Sequence, residues 1–198
     1  MNTIRPAGNL GLGEGIFFEA EIPLSWEPLF EPPSETRLVG LNRANLGALQ
    51  AMQFIDEYFP AEVEGSDQLD PDLARIEFKL NLLMDLFGRW LQANSMSPDS
   101  KWMRMNSQGV EWRSAEEAEI GSFGILSLYP EPKYPGAFQV YCQVIDRSVA
   151  EGGVSHTLVK FEGVASKVQN WIEKLVFRNH RRSIAYHKQQ TSGICARG

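Results

Sequence analysis

Cysteine is nearly absent from this chain of 198 residues: only Cys142 and Cys195 occur. One sits in a strand-like run and the other in a polar tail, so no disulfide framework and no thiolate metal site is predicted. A reducing compartment fits that usage. Histidine is equally scarce. His156, His180 and His187 are not spaced as a metal-binding set, and the last two lie among arginines, as in a solvated basic helix end. Gly-x-Ser-x-Gly, phosphate-loop and His-Glu-x-x-His patterns are missing. The acidic pair Glu116-Glu117 falls in a polar turn. No catalytic residue, metal or cofactor is therefore predicted. No apolar run reaches the length of a membrane span, so no membrane insertion is expected. The start, MNTIRPAGNLGLGEG, lacks the apolar core of a secretion signal, and a cytoplasmic location is expected. Basic residues are few in the first half. Residues 1–99 carry 16 acidic and 6 basic side chains, net −10, and residues 100–198 carry 9 and 13, net +4. The asymmetry points to two functional halves and away from a nucleic-acid binder, which needs an extended basic footprint.

What the chain does have is a heptad pattern. In SDQLDPDLARIEFKLNLLMDLFGRWLQANS, Leu69, Leu73, Ile76, Leu80, Leu83, Phe87 and Trp90 recur at alternating steps of four and three. That is the seam of helices that wind around one another. Asp70 can cap the helix, Pro71 suits its first position, and Asn94 and Pro98 mark its end. The predicted helix, about 70–94, would span roughly 35 Å. Leu73, Leu80 and Phe87 take the a positions; Leu69, Ile76, Leu83 and Trp90 take the d positions. Leucine at a with isoleucine at d favours a tetramer, and Met84, Leu86 and Leu91 widen the apolar surface beyond a two-helix seam. These seven residues are the expected oligomer interface. Burying them would contribute on the order of 10–20 kcal/mol gross per chain, an upper bound because the unfolded chain already hides part of that area.

Either side of this helix the periodicity changes. Residues 16–24 alternate as a strand, SWEPLFEPPSE reads as a connector, and 42–59 read as a helix with Asn42 as cap and Leu46, Leu49, Met52, Ile55 and Phe59 on one face. After Pro98 come five short strand-like runs, 101–106, 109–113, 122–129, 136–146 and 154–162, separated by turn residues. Such spacing indicates a small barrel or sandwich. A closing helix follows, with Ser166 and Gln169 as a capping box and Val168, Ile172, Leu175 and Val176 as its packing face. The expected organisation is an α+β chain: a helical appendage over 1–97, a β domain with its helix over 98–190, and a flexible tail over 191–198.

The order of these parts resembles the PilZ family of bacterial second-messenger receptors. The likeness rests on KWMRMNSQGVEW as the first hairpin, on the long strand pair, and on FEGVASKVQNWIEKLVFRNHRRSIA, with Phe177, Arg178, Arg181 and Arg182. KLNLLMDLFGRWL resembles the heptad helix of a divergent, tetramer-forming subgroup. The resemblance implies a small antiparallel β-barrel with a C-terminal helix, joined to a long self-associating helix. It also implies cyclic di-GMP as ligand, gripped by Arg-x-x-x-Arg ahead of the barrel and by Asp/Asn-x-Ser-x-x-Gly on it. Here Gly109 matches the family glycine, Asn106 stands where Ser belongs, and Arg104 stands where Asp or Asn belongs. No Arg-x-x-x-Arg precedes Arg104 from residue 60 on. The one at Arg178 and Arg182 lies beyond the barrel. Arg104, Asn106 and Gly109 thus form a degenerate ligand motif. The expected role is an oligomeric adaptor acting through protein contacts in motility or virulence, with cyclic di-GMP binding weak or absent. Arg178, Arg181 and Arg182 are the candidate contact for a signalling or pilus-assembly partner. The alternatives are a cyclic di-GMP receptor with a divergent site, and a structural scaffold outside signalling.

Overall fold

The computed structural model describes residue 12, residues 15–57, the positions 72–73, 75–76, 78–80, 82–83 and 86–87, and residues 98–114, 118–131, 134, 136–149 and 154–195. Six antiparallel strands close on themselves: β1 (Phe18–Leu29), β2 (Ser100–Met105), β3 (Gly109–Ser114), β4 (Phe123–Leu128), β5 (Phe138–Val149) and β6 (Ser155–Phe161), in the spatial order β1-β2-β3-β6-β5-β4. Two long helices accompany them, α1 (Glu35–Glu57) and α2 (Ser166–Cys195). The described positions between 72 and 87 are also helical.

Burial alternates along β1 and β2, while β3, β4 and β6 are buried at nearly every position. Inward positions on neighbouring strands meet in register: Leu24 faces Leu128, Met103 faces Trp112, Met105 faces Val110, and Val110 faces Val159. All of these side chains are buried, and closure leaves the barrel no free edge. Trp26 and Trp112 meet inside with ring centroids 5.9 Å apart.

β1 closes the barrel by dividing itself. Residues 18–23 pair with β2 and residues 24–29 pair with β4. The stretch SWEPL, expected as a connector, is therefore strand. Pro23 and Pro28 are tolerated because β1 exchanges partners at the first and nears its end at the second. Glycine at 124 makes room for β1, since a Cβ there would lie 2.5 Å from the Glu27 carbonyl oxygen and 2.6 Å from the Trp26 ring. A strand assigned from sequence to the 1–97 appendage is thus a stave of the barrel.

α1 begins seven residues earlier than expected. Ser34, after two prolines, accepts from the Leu38 N–H through its carbonyl at 3.0 Å and from the Arg37 N–H through Oγ at 3.3 Å. Asn42 is inside the helix and serves the other one. Its Nδ2 donates to the Gly163 carbonyl (2.8 Å), and its Oδ1 accepts from the Ala165 N–H (2.8 Å). The Gln169 N–H donates to the Ala165 carbonyl, so Ala165, not Ser166, holds the cap position of α2. Asn45, also on α1, exchanges two hydrogen bonds with the backbone of Gln139 on β5. Leu49 and Met52 are buried as expected, while Leu46 and Ile55 are half-buried; Phe59 lies outside the described residues. On α2, Val168, Ile172, Leu175 and Val176 are all buried, as the pattern required. The helix continues to Cys195, so residues 191–195 are helical where a tail was expected.

The heptad segment contrasts with both helices. Leu73, Ile76, Leu80, Leu83 and Phe87 are each more than half exposed, and so are Phe78 and Leu86. Leu69 and Trp90 lie outside the described residues.

Candidate functional site

The motif residues gather at the β2–β3 turn. Asn106 organises it locally: its Oδ1 accepts from the N–H groups of Gln108 (2.8 Å) and Gly109 (2.9 Å), an arrangement asparagine favours in turns. The backbone N–H of Asn106 donates to the Gly109 carbonyl at 3.1 Å, and the Gln108 carbonyl accepts from Phe161 on β6 at 2.8 Å. Gly109 is fixed by space. A Cβ there would sit 2.2 Å from the Val159 carbonyl oxygen and 3.3 Å from Leu12 Cδ2.

The chain's own N-terminal segment also contacts Asn106 and Arg104. Asn106 Nδ2 donates to the Leu12 carbonyl at 2.9 Å. Arg104 lies opposite Glu19 in the β1–β2 register and pairs with its carboxylate, Nε to Oε1 3.1 Å. Its guanidinium also stacks on the Phe17 ring, 3.6 Å from the centroid. The Phe17 carbonyl in turn accepts from His180 Nδ1 at 2.9 Å, which places that ring's proton on Nδ1. From the other side, Gln169 Nε2 of α2 donates to the Ser107 carbonyl.

Beside the turn lies a cleft of about 470 Å³, lined by Leu12, Ile16, Ser107, Val176 and Phe177 among others, with Glu173 on its wall. Among the described residues, the lining includes a carboxylate and neither lysine nor arginine. Such a cleft opposes a doubly anionic ligand, because phosphates need cationic forks and not a like charge.

The structure thus brings Arg104, Asn106 and Gly109 together, as the spacing required. Arg178, Arg181 and Arg182 lie on α2 past Phe177; Arg181 and Arg182 are exposed and Arg178 is half-buried. Phe17 links Arg104 to α2, since Arg104 holds its ring and His180 holds its carbonyl. Leu12, Phe17, Gln169 and His180 were not recognised from sequence. Their partners are 62 to 163 residues away, and no local pattern encodes such pairing. His156, the third histidine, belongs elsewhere: its Nδ1 lies 2.9 Å from Glu111 Oε1, both residues being buried on adjacent strands.

A closed six-stranded barrel, a long C-terminal helix and a β2–β3 turn fixed by glycine together define a small β-barrel domain. The chain belongs to the atypical PilZ domain family, whose model is described as a cyclic di-GMP receptor and matches residues 49–189. Among solved structures, the chain is similar to a pathogenic protein from Xanthomonas campestris, described as a new tetrameric PilZ domain self-assembled via an unusual helical bundle. The TM-score is 0.71 and the identity 20%, over 86% of this chain and 90% of that one. At that identity the likeness is one of fold. No curated protein matches the chain.

Proposed function

We propose that this chain is an oligomeric PilZ-type signalling adaptor, acting in the cytoplasm through protein contacts in bacterial motility or virulence regulation. In this reading the usual cyclic di-GMP site is lost. The observation that carries it is the state of the motif turn. Arg104 is spent on Phe17 and Glu19, and Asn106 on its own turn and on Leu12. A ligand would have to displace these contacts before gaining its own, and such a cost comes directly off affinity.

Self-association through 69–90 completes the reading. A row of leucine, isoleucine and phenylalanine left in water by the single chain is the kind of surface that marks an interface. The Xanthomonas protein of the same fold is described as assembling through a helical bundle, and leucine at a with isoleucine at d suits a tetramer. Among the described residues, no helix is long and apolar enough to cross a membrane.

Light scattering tests the assembly: the expected mass is about four times 22.3 kDa. Replacing Leu80 and Leu83 by Glu places charges in the seam at several kcal/mol each and is expected to give single chains. A wild-type sample at 22.3 kDa overturns the assembly claim. Calorimetric titration with cyclic di-GMP tests the loss of the site, with no saturable heat expected. The second reading, a receptor with a divergent site, is favoured by the family's description and by Arg104. Tight binding abolished by Arg104→Ala would establish it.

A further inference from the structure

α1 and α2 lie side by side, tied at one end by Asn42. An open groove of about 660 Å³ runs between them. Its apolar surface comes from Leu46, Trp171 and Phe177, its amides from Gln50 and Asn170, and its charges from Lys167, Lys174 and Glu173. The cations continue a pattern along α2. Lys167, Lys174 and Arg181 are spaced by seven residues, about two turns or 10 Å, and so share one face. Two of the three rest on aromatic rings: Lys174 Nζ lies 4.4 Å from the Trp171 centroid, and the Arg181 guanidinium 5.8 Å from that of Phe177. Among the described residues, no carboxylate lies within ion-pair distance of these three cations. Lys174 and Arg181 are held in place by rings, and none of the three is paired with a described acid, so little ordering of those two remains to be done on binding.

We propose that this groove docks an acidic segment of a partner protein. One large apolar side chain of that segment sits among Leu46, Trp171 and Phe177, and its carboxylates meet Lys167, Lys174 and Arg181. The occupant follows from the charge pattern: a row of cations beside an apolar trough complements a peptide that alternates acid and apolar residues. Gln50 and Asn170 can take up its backbone groups. A bilayer would need a convex or flat apolar face, and this surface is a trough between helices. This proposal rests on the adaptor reading and supplies the partner's chemistry.

The test uses the full chain and a fluorescein-labelled peptide of alternating glutamate and phenylalanine, followed by fluorescence polarisation. The Lys167→Glu/Lys174→Glu double variant changes two exposed positions and is expected to keep the wild-type unfolding midpoint. The expected result is saturable binding that weakens about tenfold or more in the double variant. The double variant is also expected to gain affinity for the same peptide with lysine in place of glutamate. Three results overturn the proposal: no saturable binding; affinities within about twofold for wild type and variant; or a glutamate-only peptide binding as tightly as the alternating one. Lysine-dependent association with phosphatidylglycerol vesicles in place of the peptide assigns the face to a membrane and overturns it too. Particle mass and the cyclic di-GMP titration are read separately, so a negative result here leaves the tests of the adaptor reading standing.

Discussion

The barrel and the heptad segment spend similar apolar side chains in opposite ways. In the barrel, Leu24, Leu126, Leu128 and Phe138 are removed from water within one chain. In the segment, Leu73, Leu80, Leu83 and Phe87 are left in it. A single chain gains stability from the first group and nothing comparable from the second, because the favourable term scales with area taken out of water. The barrel stabilises the protomer, and the described residues of the segment leave their apolar surface exposed.

That contrast can be broken from the barrel side most forcefully. Phe138→Ala empties a fully buried site and is expected to cost about 3–5 kcal/mol in urea unfolding, while the light-scattering mass at low denaturant stays that of the wild type. The Leu80→Glu/Leu83→Glu variant is expected to do the reverse. Its mass collapses, and the midpoint of thermal unfolding stops rising with protein concentration, as an assembly's midpoint does. If it instead unfolds like the Phe138 variant and keeps its mass, the segment belongs to the protomer core.

Smaller effects sharpen the picture at the motif turn. Asn106→Ala removes acceptors for two backbone N–H groups and one donor to Leu12. A loss of about 1–2 kcal/mol is expected, with the mass unchanged. The smallest effect concerns Cys142. It is fully buried, and burial pushes its thiol well above the ordinary range. In a Cys195→Ser background, iodoacetamide at neutral pH is expected to modify it only as fast as the barrel opens. The sign of its pH dependence follows. The folded chain favours the neutral thiol, so this contribution is present below the ordinary thiol range and is lost as pH rises through and beyond it.

Much of the barrel was legible because short runs rich in strand-forming residues are bounded by turn residues. The five runs after Pro98 match β2 to β6 within a few residues. β1 was cut short because Pro23 and Pro28 carry the local signal of a connector, and only the exchange of neighbours at Pro23 makes them acceptable. Asn42 misled for a related reason. Its side chain does cap a helix, but the one whose cap position, Ala165, lies 123 residues later. At the site, the spacing of Arg104, Asn106 and Gly109 identified the turn. What occupies their polar groups did not show, because Leu12 and Phe17 carry no motif and meet the turn only once the chain has folded. The same limit applied to α2, where Gln169 read as half of a capping box and instead reaches Ser107.

The divided β1 has a consequence for how this protein is made. It leaves the ribosome before its two neighbours, which are both encoded after residue 99. At about 5–20 residues per second, the 70 residues between β1 and β2 hold the nascent strand unpaired for roughly 4–14 s. For that interval two bare hydrogen-bonding edges stand ready for any passing chain, so safe synthesis depends on shielding the first stave until the last ones arrive.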